Sequence, residues 1–469
     1  MIDVDQNPGG TEPAPGDSVH DLEGGIEAQI VEALSGGDMA RTSELVADLH
    51  YADVADLIER LSTDDTARLV QVLGPELRSE ILPELDETVR DAVIDLIGLD
   101  EVAAAVSELD INDAVLVLEE MEAHEQQHVL DAMPAGERTL IEEGLAYPED
   151  SAGRMMQREL VTVPTHWTVG QTIDFLRQSA DDDENSLPDI FYSIFVVDPA
   201  HRPVGALHLD KLLRTRRPVL VTDVMDEDLK TVPAETDQED VAFLFRQRDL
   251  VSAPVVDDAG RLVGAITIDD IVDVIDEEYE EDIMRFGGVT EDDLYSATID
   301  TTRARFSWLF VNLVTAIVAS AVIGLFDATI DEIVALAVLM PIVASMGGNA
   351  GTQTLTVVVR ALAMKELTAT NAGRLIGKEL IVGVINGVVF ALLSGAVAWW
   401  WFDNPKLGLV IGLAMIVNMI VAGLAGSSIP LVLERVGIDP AVASSVVLTT
   451  ITDVVGFFVF LGLAALVLL

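Results

Sequence analysis

The chain contains no cysteine, which excludes disulfides and thiolate metal sites. Histidine is scarce. Its seven copies (His20, His50, His124, His128, His166, His201 and His208) all precede residue 210, and only His124 and His128 share a helical spacing. No acidic third ligand accompanies that pair, so both read as surface residues and not as a zinc site. Basic residues are the third shortage: 27 Lys and Arg stand against 80 Asp and Glu, for a formal net charge of −53. Without basic patches, nucleic acid and anionic lipid headgroups are poor candidates as partners. No nucleophile–base set is evident. The one glycine-rich run, GGNAG, follows no strand and lies inside an apolar segment, so an enzyme is not expected.

The charge is unevenly spread. From residue 301 onward there are nine acids and eight bases, whereas the first 300 residues carry 71 acids and 19 bases. Self-repulsion on that scale calls for cations as partners. A salt-adapted (halophilic) surface would give the same count, so bulk charge leaves ion sensing and salt adaptation both open. The first 25 residues are acidic and rich in Gly and Pro. They read as a disordered tail and not as a signal peptide.

The long hydrophobic runs lie at the other end. Five spans are expected, about 305–326, 332–358, 376–401, 408–433 and 441–468, each long enough for a bilayer core of ~20 residues. Arg303 and Arg305 precede the first. Arg360, Lys365, Arg374 and Lys378 lie between the second and third, Lys406 stands alone after the third, and Arg435 follows the fourth. The richer loops alternate, so the acidic front part is expected in the cytoplasm and the C-terminus outside, in the plasma membrane.

Two spans are chemically odd. The second holds Pro341 and then GGNAGTQ, residues 347–353, with amides at Asn349 and Gln353. Proline and glycine there predict a broken helix lining a water-filled cavity, or else a small-residue packing seam. The fifth holds Asp453 near its middle, beside Thr449, Thr450 and Thr452, and no base lies in that span. A carboxylate at that depth faces a cavity or a partner. Water and a cation would satisfy it; a protonated Asp or a proton relay is the alternative. A two-fold dimer would set two such acids across an axis, an arrangement that suits cations and Mg²⁺ in particular, which keeps its waters.

Residues 154–276 contain a repeat. MQRELVTVP and MDEDLKTVP open its copies, and SIFVVDPAHRPVG and SAPVVDDAGRLVG close them, aligning Met156 with Met225, Asp198 with Asp257 and Gly205 with Gly264. An acidic insertion, SADDDENSLPD, interrupts the first copy. The pattern predicts strand–helix–strand–strand–helix twice over and resembles a tandem CBS module. Such modules often bind adenine nucleotides through a Thr-x-x-Asp after the last strand. The second copy has Thr267 and Asp270, where the first has His208 and Lys211, so one ATP site at most is implied. Residues 26–146 show short amphipathic helical segments with capping signals such as Ser62-Thr63-Asp64-Asp65, fitting a helical superhelix. From Asp269, nine of the next fourteen residues are acidic around an apolar stripe. Like charges at i, i+4 push such a helix away from an acidic neighbour unless cations bridge them.

The whole is read as a multidomain membrane protein: an acidic tail (1–25), an all-α superhelix (26–146), an α/β tandem CBS module (147–268), an acidic plug or connecting helix (269–300) and an α-helical transmembrane domain of five spans (301–469). With SAGRMM at 151–156, PIVASMGGNAGTQ at 341–353 and TTITDVVG at 449–456, it resembles the MgtE family of magnesium channels. The resemblance implies a homodimer in the lipid bilayer with a pore on its axis. Asp453 would bind hydrated Mg²⁺ there, and Asn349, Gln353, Thr449 and Thr450 would line the pore. It also implies closure by cytoplasmic Mg²⁺ at Asp270, Asp273, Glu278, Glu281 and Asp282 of the plug, with Asp237, Glu239, Asp249 and Glu80 as further ligands. Two positions that the family fills with acids are Asn112 and Leu116 here, and GGNAGNQ reads GGNAGTQ. The competing readings are a proton- or Na⁺-coupled divalent cation transporter and a membrane-anchored CBS regulator.

Overall fold

The computed structural model describes residues 25–47, 49–179, 187–188, 190–289, 298–368 and 370–469. The expected disordered tail and most of the acidic insertion lie outside the described residues, as does the linker over 290–297. The chain divides into two units, Met1–Ile275 and Asp276–Leu469.

In the first unit, ten helices (α1 to α10) occupy residues 26–145. They form because apolar residues recur on one face of each. In α3 (Tyr51–Arg60), Val54, Ala55, Leu57 and Ile58 are buried. Caps set the boundaries. Ser62 accepts from the Asp65 backbone N–H at 3.3 Å and donates its hydroxyl to the Asp65 carboxylate at 2.8 Å, the N-cap that starts α4 (Thr63–Val72). The buried Arg90 donates to the carbonyls of Leu82 at 2.9 Å and Leu85 at 2.7 Å, groups that would otherwise be orphaned beyond α5 (Pro75–Ile81). Leu34, Leu57, Leu69, Ile81 and Leu118 join one continuous core.

After the one-turn α11 (Ala152–Met155) come two three-stranded sheets of the same design. In the first, β1 (Thr162–Pro164) runs parallel to β2 (Ser193–Val197), which pairs antiparallel with β3 (Pro203–His208). β4 (Val232–Pro233), β5 (Ser252–Val256) and β6 (Leu262–Thr267) repeat the pattern, with a register shift at Val255/Val256 matching that at Val196/Val197. The hairpin turns match too: Asp198 accepts from the backbone N–H of Ala200 and Arg202, and Asp257 from that of Ala259 and Arg261. The copies are interlocked. A Cβ on Gly205 would strike Met225 of the second copy, and one on Gly264 would strike Met156 of the first. Each repeat's opening methionine thus packs on the other's hairpin. Helices α12 (Val169–Ser179), α13 (Leu209–Arg214) and α14 (Gln238–Arg248) complete the module. α15 (Ile268–Gly287) continues from the last strand as one helix.

In the second unit, five helices among the described residues are long and apolar enough to cross a membrane: Thr301–Gly324, Ala335–Ala363, Ala372–Phe402, Pro405–Val436 and Ser445–Val467. They belong to α16 (Thr298–Gly324), α18 (Ala335–Ala363), α19 (Ala372–Phe402), α20 (Pro405–Val436) and α21 (Pro440–Val467), with the short α17 (Asp327–Glu332) after α16. The break expected in the second span is absent, because α18 runs unbroken through Pro341 and GGNAGTQ. Its glycines serve close approach instead, as in the packing-seam alternative. Gly347 lies against Asn418 of α20, and a Cβ on Gly426 would stand 2.6 Å from the Gly351 carbonyl oxygen. Between α19 and α20 the backbones themselves touch, since a Cβ on Gly408 would meet the Gly395 oxygen at 2.5 Å and one on Gly383 the Met419 oxygen at 2.8 Å.

Gly408→Val is therefore expected to force α19 and α20 apart and to lower the thermal midpoint of the detergent-solubilised protein by several degrees. Gly377→Ala, whose Cβ meets nothing within 4 Å, should leave it unchanged. Equal midpoints for the two variants would contradict the seam.

Candidate functional site

The residues expected to line a pathway fall on two adjacent helices. On α18, Ser345, Asn349, Gln353 and Thr356 are exposed at successive helical turns of one face. On α21, Thr449 is exposed and Asp453, four residues on, is half-buried. The helices are packed together, since a Cβ on Gly351 would stand 2.8 Å from Leu448. The hydroxyl protons are committed to the preceding turn: Thr449 donates to the Ser445 carbonyl at 2.6 Å and Thr450 to that of Val446 at 2.7 Å. Their oxygen lone pairs remain to accept from water. The Asn349 amide donates to Ser345 Oγ at 3.4 Å.

The acidic helix α15 is anchored chemically at both ends. At its start, Asp270 is mostly buried and accepts from the Thr267 N–H at 3.2 Å, Thr267 Oγ1 at 2.8 Å and Gln157 Nε2 at 3.4 Å. A fourth bond comes from Asn112 Nδ2 at 3.1 Å, and the same amide donates to Asp113 at 3.1 Å. One neutral side chain of α8 (Ile111–Glu119) thus bridges two carboxylates. Burial pushes Asp113 up to about 7, with Asp270 the largest of its charged causes. Burial likewise raises Asp270 to about 6, against the pull of the Thr267 hydroxyl. At the other end, Arg285 pairs with Glu281 and donates to Asp439 Oδ2 at 2.7 Å. Asp439 is also the N-cap of α21, accepting from the Ala441 N–H at 2.7 Å. Asp282 is raised by burial and by that same Asp439.

The other expected ligands are scattered. Asp237 caps α14 through the Glu239 N–H at 2.9 Å, Asp249 ends that helix in the left-handed region at φ 53°, and Glu80, Glu239 and Asp273 are exposed while Glu278 is half-buried. Among the described residues no three Asp, Glu or His side chains converge as a ready-made metal chelate. Thr267 and Asp270, expected to face a nucleotide, are bonded to each other.

Three functional candidates escaped the sequence reading. Asp113 carried no motif. Glu379, next to Lys378 at the start of the third span, carried no motif either. Asn418 is fully buried, donates to the Val343 carbonyl at 2.8 Å and has a partnerless Oδ1. A lone amide in the apolar run of the fourth span was the available signal for it.

The raised carboxyls set the sign of a pH dependence. Asp113 ordinarily titrates at 3.8 and here at about 7. Between those values the folded chain holds a proton that the unfolded chain has lost, so stability falls as pH rises through the window. Asp113→Asn should raise the thermal midpoint of the full-length protein near pH ~8 and flatten its decline between pH ~5 and ~8. An unchanged pH profile would contradict the burial of this charge.

Family models match three stretches: a divalent cation transporter model over residues 340–463, the MgtE intracellular N domain over 49–150 and a CBS domain over 221–277. The magnesium transporter MgtE of Thermus thermophilus is 36% identical over 335 residues, covering 71% of this chain and 73% of that protein. That of Enterococcus faecalis is 35% identical over 326 residues, covering 70% and 71%. Among solved structures, the cytosolic domain of the Mg²⁺ channel MgtE in complex with ATP shares 29% identity, covering 53% of this chain and 99% of that one with a TM-score of 0.49. The helical front part, the CBS-type repeat, the five apolar helices and this level of identity agree: the chain is a multi-pass membrane protein that belongs to the MgtE family of divalent cation transporters.

Proposed function

We propose that the protein is a Mg²⁺ channel, its pathway formed where the polar stripe of α18 and α21 meets the same stripe of a second copy. The observation that carries this reading is the stripe itself: on a single chain Asn349, Gln353 and Thr449 lie open and Asp453 is half-buried beside them, on helices otherwise apolar. Lipid cannot satisfy such groups, so water and a partner must cover them. A two-fold homodimer sets two Asp453 carboxylates across the axis. One or two carboxylates acting through retained waters is how Mg²⁺ is usually held. The absence of a ready-made chelate among the described residues suits an ion that passes hydrated. The front part lies in the cytoplasm and the C-terminus outside, so conduction runs inward down the electrical gradient.

The acidic helix supplies the gate. Asp273, Glu278, Glu281 and Asp282, with Asp237, Glu239, Asp249 and Glu80, carry negative charge that cytoplasmic Mg²⁺ neutralises in the closed state. Ions that bind one state more tightly shift the population toward it. A swing from 1:99 to 99:1 needs ~5.5 kcal/mol of differential binding, within reach of several weak sites at about 1 kcal/mol each. Arg285 offers the route to the pathway: it ties α15 to the N-cap of the helix that carries Asp453, about four turns or ~21 Å away. An adenine nucleotide belongs at the second repeat alone. There Thr267 and Asp270 would exchange their bonds to Gln157 and Asn112 for the ribose hydroxyls.

The test is Mg²⁺ uptake into proteoliposomes at constant high ionic strength. Asp453→Asn keeps the side-chain shape and removes the charge, and uptake should fall at least about tenfold, as when ~1.4 kcal/mol of ion stabilisation is lost. Arg285→Ala should conduct but respond less to Mg²⁺ on the cytoplasmic face. Full uptake by Asp453→Asn would sink the pathway, and full inhibition of Arg285→Ala by Mg²⁺ would sink the coupling.

A further inference from the structure

The membrane unit holds a second carboxylate that the pathway above does not use. Glu379 lies two turns into α19 and is 8% exposed. Its Oε2 accepts from Thr354 Oγ1 of α18 at 3.0 Å. Among the described residues that is its one protein hydrogen bond, and no Lys, Arg or His stands within ion-pair distance. Lys378 precedes it in sequence but is exposed, on a different side of the helix. A buried carboxylate without a base needs a proton, a cation or ordered water.

The structure provides room for one of these. Glu379 borders a cavity of about 200 Å³ whose polar lining is completed by Gln353, Thr354 and Asn386, against a wall that includes Met419 and Val382. Apolar cavities stay dry, whereas one with a carboxylate, a hydroxyl and two primary amides offers the several partners that water or a hydrated ion requires. Its rim is open. Asn386, Val382 and Val357 are exposed on the outer faces of α19 and α18. An amide exposed on an apolar spanning helix meets water or protein, not lipid tails. Gln353 belongs both to this cavity and to the exposed stripe with Asn349, so the cavity adjoins the pathway side of α18.

We propose that Glu379, Thr354, Gln353 and Asn386 form a binding site for a hydrated divalent cation, separate from the one at Asp453. The donor set is all oxygen, which suits a hard ion such as Mg²⁺ and not a thiophilic or imidazole-seeking one. A single carboxylate and two amide oxygens contact the ion through its water shell, leaving it free to exchange. The identity of the ion rests on the transport reading, but the site does not rest on Asp453.

The test reads Glu379 directly. The full-length protein in liposomes is treated with a hydrophobic carbodiimide at fixed ionic strength, with Mg²⁺ or with K⁺ alone. Modification of the peptide carrying Glu379 is then followed by mass spectrometry. Mg²⁺ should slow labelling of Glu379 several-fold, in wild type and in Asp453→Asn alike. Asn386→Leu removes one amide and leaves the charge, and should raise the Mg²⁺ concentration needed for protection by about tenfold. Labelling indifferent to Mg²⁺ would overturn the proposal and leave Glu379 as a proton-holding or structural carboxyl. So would protection that vanishes in Asp453→Asn, protection unchanged in Asn386→Leu, or failure of the reagent to label Glu379 at all. Because none of these readings uses flux, a failure here leaves the uptake result for Asp453→Asn standing, and the reverse also holds.

Discussion

A carboxylate carried on an apolar helix must meet water, a cation or a proton, and the membrane unit is organised around that demand. Asp453 sits half-buried on α21, on the same face as Thr449, and the exposed amides of α18 run alongside. The rest of the unit supports that face. Small residues bring α18, α20 and α21 close enough for Asn418 to reach across to the Val343 carbonyl. Backbone contact between α19 and α20 at Gly395 and Gly408 fixes the scaffold behind them. The polar face therefore lies on packed helices and not on a loop, and that packing holds its spacing.

The front part faces the opposite problem, an excess of negative charge with few bases to offset it. The structure handles it in two ways. Where acids are buried, neutral donors are aimed at them: Asn112 reaches both Asp113 and Asp270, and Thr267 and Gln157 close around the latter. The Asn112 amide thus joins the two carboxylates through neutral donors. Where acids are exposed, as at Asp273, Glu80 and Glu239, they stay at the surface, where water screens their charge.

Much of this was legible in the sequence. The five spans followed from hydropathy, and the N-cap at Ser62 from its residue order. The repeat of 154–276 was visible in MQRELVTVP and MDEDLKTVP, and it appears as two sheets with matching register shifts. What misled was GGNAGTQ. Glycine and proline lower helix propensity, but in α18 the tertiary packing of α20 and α21 outweighs that, and the helix runs through. The interlocking of Met156 with Gly264 and of Met225 with Gly205 could not be read from one copy alone, because it depends on the pairing of the two. Glu379 was hidden for a similar reason. Adjacent Lys378 and Glu379 look like a boundary pair in sequence, yet successive helical positions point about 100° apart, and only one of the two is buried.

Whether the α18–α21 stripe is wet and carries ions can be read directly by thiol chemistry, because the chain has no cysteine. Asn349→Cys and Thr449→Cys, each the single thiol in the full-length protein, would be exposed in membranes to a water-soluble, membrane-impermeant thiol reagent. Ile385→Cys, on the open apolar face of α19, would serve as the lipid-facing reference. Modification should be rapid at 349 and 449, slowed there by Mg²⁺, and negligible at 385. Rates at 349 and 449 no greater than at 385 would mean that the stripe faces lipid or packed protein, and the pathway would have to lie elsewhere.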